Sequence, residues 1–413
     1  MNVFRRLQQP SPARISQAQN GLGLRLLSRL AQDDPQANVC LSPSGLTLAL
    51  GAAYLAAGGD TRRELGHALG LPGSGTATAV EMLLRWRESL LDPSSPNAMS
   101  MATSLWLPPG SVASAAYAEQ MRTLQAETAT LVGDGGAAAD QVNAWASRMT
   151  RGRITRIVSH LDPAAALLLI TVVDFHAIWQ IAFDPQNTHP AAFRLDPGRL
   201  ADCPMMSLSG DFPYFRTRDL EGIALAYAGG RHRLIVLLPS ADRALEELLA
   251  ELDARAWHML LERLRPQTGT ISLPRFHVVG ERSIGGALAA LGLGRSLDVN
   301  RADFRNLRLP AGSTALGQIT QAVRLEVDEE GTEASAVTLM VQVVAVGLPR
   351  SHFFEMRVDR PFLFAIEDEP SRTLIFIGAM RDPRPQGGGA AAELAPLEVS
   401  PDTSSDLPRP STL

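Results

Sequence analysis

Lysine is absent: all 38 basic residues of this 413-residue chain are arginine. That excludes a Schiff-base lysine, a P-loop lysine and a protein-kinase lysine. Ala, Gly, Pro and Arg are plentiful, so codon bias accounts for the missing residue. Cysteine is scarce: Cys40 and Cys203 cannot build a disulfide framework and read as two buried thiols. There is no long hydrophobic run. The longest, Ala164 to Val173, is interrupted by Thr171 and ended by Asp174, too short for a membrane span and suited to a buried strand. Arg5, Arg6 and Arg14 are not followed by an apolar run, so the start does not read as a secretory signal and a cytoplasmic location is expected. HExxH, CxxC and GxSxG are all missing, the eight His are dispersed, and Gly292-Leu293-Gly294 reads as a turn. The net charge of −5 supplies no strong basic surface for nucleic acid. No catalytic constellation, metal site or cofactor motif is left.

What is present is globular material: 45% apolar and 20% charged residues, enough for a large core. The first half is mainly helical. Leu22 to Ala31 has helical apolar spacing. Ser42-Pro43 reads as a cap and first turn, and Leu46–Leu55 is apolar all round, as a buried helix would be. Thr61 with Glu64 reads as a capping box, and Ala139 to Met149 as an amphipathic helix. The second half turns to strands: Leu234–Leu238, Thr270–Val279 around Pro274, Arg324 to Val327, Val337 to Val346, Phe362–Ile366 and Leu374–Ile377. Helical segments Ala244–Leu264 and Ser283–Leu291 lie between them. Without a regular βαβ rhythm, the expected class is α+β. No Pro/Gly/Ser-rich linker divides the chain, so one domain over 20–383 is expected. A short, partly flexible segment (1–19) precedes it, and a Pro/Gly/Ala/Ser-rich disordered tail (384–413) follows.

One segment is odd. From Glu326 to Val346 a strand passes through acidic residues and a glycine into small residues. Thr332, Ala334, Ala336 and Thr338 then share one face at period two. A β-competent run that continues into the loop composition Gly347-Leu348-Pro349-Arg350 is a liability unless joining a sheet is its task. An ordinary long strand fits the pattern equally well.

At this point the sequence resembles the serpin family, in the manner of an inhibitory, bacterial-like member. Glu329 to Thr338 (EEGTEASAVT) is similar to the proximal hinge of inhibitory serpins. Matches in family order include Asn38-Val39-Cys40-Leu41-Ser42-Pro43, Gly59-Asp60-Thr61, Val142-Asn143-x-Trp145, Asp174-Phe175-His176-Ala177-x-Trp179, Leu273-Pro274-Arg275-Phe276, Ala302-Asp303-Phe304 and Arg360-Pro361-Phe362. The resemblance implies a serpin fold: N-terminal helices packed on a large mixed central β-sheet, further sheets and an exposed reactive-centre loop. It implies a monomeric suicide substrate that traps a target serine protease covalently. It would be no enzyme and need no cofactor, metal, nucleic acid or membrane. The hinge it implies is Glu329, Glu330, Gly331, Thr332, Glu333, Ala334, Ser335, Ala336, Val337 and Thr338. The breach would hold Trp179. The shutter would hold Ser42, Gly45, Thr171 and Gln321, where the last three depart from the family's usual Ser, Asn and His. A Thr171–Gln321 hydrogen bond is the expected replacement. Counting fourteen residues on from Gly331 places the reactive bond at Ala345–Val346, suiting an elastase-like or subtilisin-like protease. Counting back from Pro361 gives Arg350–Ser351, a trypsin-like site, as second choice. A non-inhibitory binding or chaperone-like scaffold is the alternative, and a hydrolase with an unrecognised site the remaining class.

Overall fold

The computed structural model describes residues 12–384, apart from 72–74, 92–94, 96, 162–166, 197, 311–313 and 333–352. Two sheets sandwich a buried helix. Among the described residues the larger sheet has nine strands. They run in the order β1 (Val39–Leu41), β17 (Thr373–Met380), β16 (Phe362–Asp368), β9 (His232–Pro239), β8 (Leu220–Ala226), β7 (Arg199–Arg216), β10 (Arg265–Pro274) and β15 (Phe354–Arg357), with β6 (His189–Asp196) on β7. The smaller has six, ordered β11 (Phe276–Ser283), β13 (Leu316–Val327), β14 (Gly331–Thr332), β5 (Leu167–Ile178), β2 (Ala98–Leu107) and β4 (Glu127–Thr130). A small ribbon joins β3 (Val112–Ala113) to β12 (Leu307–Arg308). The helices are α1 (Pro12–Asp33), α2 (Pro43–Ala56), α3 (Gly59–Ala68), α4 (Thr76–Leu90), α5 (Ala115–Thr123), α6 (Gly135–Met149), α7 (Leu245–Glu251), α8 (Ala254–Leu261) and α9 (Gly285–Leu288). The expected α+β class and the mixed central sheet are both present.

The buried helix is α2. Ser42 caps it by accepting from Gly45 N, Pro43 fills the first turn, and every residue from Pro43 to Ala56 is buried. It packs on β2 and β5 of the smaller sheet and on β17 of the larger, which is why it is apolar all round. The outer face of the smaller sheet carries α6. Val142, Trp145 and Ala146 cover Leu168, Ile170 and Val172 of β5 and Ala322 of β13, and Trp106 meets Trp145 edge to face at 6.5 Å.

Several local expectations are corrected. Thr61 does not cap α3, which starts two residues earlier behind Gly58; its hydroxyl instead accepts Asp303 N. Glu64 reaches across to the backbone N–H groups of Arg295 and Ser296. The helix read at Leu22–Ala31 begins at Pro12, with Ile15 and Gln19 buried, so it crosses the expected boundary at residue 20. The strand read around Pro274 is two strands, and the helix read over Ala244–Leu264 is two short helices. Val337 to Val346 lies outside the described residues.

Candidate functional site

The candidate site is a seam in the smaller sheet. Strands β5 and β13 run parallel and pair directly from Leu167–Leu316 to Val173–Val323. Beyond that they part, and β14 occupies the gap. Gly331 lies opposite Ile178, and Thr332 lies opposite Ala177 on one side and Val327 on the other. β14 is antiparallel to both neighbours, because a tight turn reverses the chain after β13. Asp328 makes that turn: its side chain accepts Glu330 N at 2.9 Å and Gly331 N at 3.0 Å. Gly331 is required by close approach, since a Cβ would lie 2.7 Å from Ile178 Cα and collide with Ala177 O.

At the top of the seam, Trp179 stacks on Tyr227 (4.5 Å, interplanar 6°). The Tyr227 hydroxyl bonds the Thr332 hydroxyl at 2.6 Å in a fully buried setting. Trp179 Nε1 donates to Asp328 O at 2.8 Å, and its backbone N donates to Glu330 O at 2.9 Å. Glu329 accepts two hydrogen bonds from Arg275 (2.7 and 2.5 Å) and one from the Thr188 hydroxyl (2.5 Å). Burial pushes the Glu329 carboxyl up, but these donors outweigh it and hold it below its ordinary value. Burial pushes Asp328 up, against its two backbone donors.

Lower down, Ser42, Gly45, Thr171 and Gln321 meet beneath the seam. The expected Thr171–Gln321 hydrogen bond is replaced by a different arrangement. Gln321 clamps the Ser42 backbone, its Oε1 accepting Ser42 N (2.6 Å) and its Nε2 donating to Ser42 O (2.9 Å). The Thr171 hydroxyl donates to Ala102 O on β2 at 3.2 Å. The two residues are cross-strand partners, but glutamine is long enough to reach the cap of α2. Gly45 makes room: a Cβ there would stand 2.5 Å from Val173 Cγ2, 3.0 Å from Thr171 Oγ1 and 3.4 Å from Gln321 Nε2. Gln321 thus ties β13 to the cap of α2, and Thr171 ties β5 to β2.

Of the expected hinge, Glu329, Glu330, Gly331 and Thr332 are placed. Glu333, Ala334, Ser335, Ala336, Val337 and Thr338 lie outside the described residues, as do Ala345, Val346, Arg350 and Ser351. Tyr227 and Thr188 have no motif to announce them, and Arg275 stands within the Leu273–Phe276 motif. Their role depends on contacts across more than 50 residues of chain. Cys40 and Cys203 are both buried and free; burial pushes Cys203 up to about 11. Among the described residues no three His, Cys, Asp or Glu gather as a metal site, and no helix is long and apolar enough to cross a membrane.

Comparison with known proteins agrees with this architecture. The chain is 28% identical over 392 residues to Iripin-3 of Ixodes ricinus, covering 92% of this chain and 97% of that one. It is 29% identical over 353 residues to an uncharacterized serpin-like protein of Thermococcus kodakarensis, covering 84% and 81%. The native-state crystal structure of Tengpin, a thermophilic serpin, superposes with a TM-score of 0.81 at 23% identity, over 89% of this chain and 94% of that one. The family model for serpins (serine protease inhibitors) matches residues 17–383, nearly all of the described chain: the protein belongs to the serpin family.

Proposed function

We propose that the chain inhibits serine proteases as a suicide substrate. The observation that carries this reading is β14. The first residues of the hinge already form a strand between β5 and β13, antiparallel to both. Extending it downward would replace one parallel ladder with two antiparallel ones, a gain in hydrogen bonds and in pairing stability. In the proposed reaction the protease serine attacks the Ala345 carbonyl. The Ala345–Val346 bond breaks, Val346 leaves as the amine, and Ala345 stays on the protease as an ester. Insertion of the freed hinge then carries the acylated protease away before water can hydrolyse the ester. The partner is an elastase-like or subtilisin-like protease, the inhibitor acts as a monomer, and its place is the cytoplasm. Arg350–Ser351 is the second choice of bond. Small hinge residues Thr332, Ala334 and Ala336 favour this over a non-inhibitory scaffold, because bulk or charge on that face would obstruct insertion.

The test is incubation with elastase-, subtilisin- and trypsin-type proteases. A complex stable in detergent, release of a fragment beginning at Val346, and a melting temperature raised by more than about 10 °C after cleavage are expected. A fragment beginning at Ser351 moves the bond. Cleavage without a complex, at unchanged melting temperature, assigns the non-inhibitory alternative.

A further inference from the structure

The seam also carries a tie on its outer face. Val173 and Val323 are the last pair of the direct β5–β13 ladder, and Asp174 and Arg324 follow them in sequence. Val172 and Ala322 lie in the apolar cluster under α6. Asp174 and Arg324, two residues further along each strand, therefore stand on the same outer face.

Arg153, in the connection between α6 and β5, reaches both. Its guanidinium pairs with Asp174 at 2.5 Å, and its backbone carbonyl accepts the Arg324 guanidinium at 3.5 Å. The connection is itself anchored. The Thr150 hydroxyl accepts Ile154 N at 2.9 Å, and Ile154, Ile157 and Val158 belong to the cluster that holds Ile170, Val172 and Ala322. The side chains of Arg153 and Asp174 are 33% and 14% exposed, so solvent screens this pair less than a fully exposed one. His176, two residues beyond Asp174, is held below its ordinary value by burial first and then by Arg153. At neutral pH it stays uncharged and leaves Asp174 to the arginine.

We infer that Arg153 is a positioning residue that staples β5 to β13 at single-strand spacing and gives up one of them when the seam opens. This rests on the insertion reading proposed above. Adjacent strands stand about 4.8 Å apart, and an inserted strand adds that distance between β5 and β13. One residue cannot keep both contacts across the widened gap as it keeps them now. The staple therefore stabilises the intact form and opposes opening, whereas the inserted form keeps one arm at most.

The experiment is a double-mutant cycle across the seam: Asp174→Asn, Arg324→Gln and the two together. Unfolding in guanidinium at pH 7.5 is measured on intact and on loop-cleaved protein, and the cycle is repeated in an Arg153→Ala background. In the intact protein the two substitutions share one staple. Their combined effect should fall short of the sum by about two- to fivefold in the unfolding equilibrium. In the cleaved protein, and in the Arg153→Ala background, the effects should simply add. Additive effects in the intact protein overturn the inference. So does a coupling of equal size in the cleaved protein, or one that survives Arg153→Ala. No difference in stability between the intact and cleaved natural chain overturns the insertion reading, and the inference with it.

Discussion

At the scale of single residues, Gln321 and Glu329 decide how the seam is held. Gln321 satisfies a buried N–H and a buried C=O of Ser42 at once. Gln321→Ala leaves both without a side-chain partner and is expected to cost about 1–3 kcal/mol in denaturant unfolding of the intact protein. Thr171→Val, which removes a single bond to Ala102 O, should cost about 1 kcal/mol or less. Equal losses would contradict the clamp. Glu329 is nearly buried and depends on Arg275, which is half exposed. Arg275→Ala should cost about 1–2 kcal/mol at pH 7. The Glu329 carboxyl is held below its ordinary value, so its stabilisation is present above the unfolded glutamate value of about 4.3 and lost as pH falls through the lower folded one. The difference between Arg275→Ala and the natural protein should therefore shrink below about pH 4. Sequence reading brought Thr171, Gln321, Gly45 and Ser42 together, but it joined the wrong pair. Both side chains share a face, and only the depth of α2 beneath the sheet shows which one glutamine reaches.

At the scale of elements, β14 is two residues long and held by its setting rather than by propensity. Asp328 turns the chain, Gly331 permits close approach to β5, and Thr332 finds Tyr227. Gly331→Val should push β14 out of the gap. Hydrogen exchange of the Trp179 and Phe183 amides, which donate to Glu330 and Glu329, should then quicken by at least about tenfold. Unchanged protection would show that the turn alone holds the strand. Apolar patterning gave away the buried helix α2 and the strands β9, β16 and β17, because burial on all sides leaves near-continuous apolar runs. It misplaced the start of α3. Thr61 and Glu64 fit a capping box, yet both side chains serve the distant segment Arg295–Asp303 instead, and no local pattern signals that.

For the whole molecule, the pairing of β5 with β13 is the weak line. The two strands are parallel, and Thr171 and Gln321 do not bond each other across it: Gln321 holds to the cap of α2, and Thr171 holds to β2. Opening the seam breaks a backbone ladder. An inserted strand would restore two ladders. This is the physical basis for the rise in melting temperature expected after cleavage.

By itself the sequence determined the α+β class and the order of motifs along the chain. Each is a matter of local composition, spacing or period. Only the tertiary structure decided that Gly331 and Thr332 already lie in the sheet and that Gln321 clamps a helix cap. Those facts depend on strand register and on the distance between layers, which residues far apart in sequence set together.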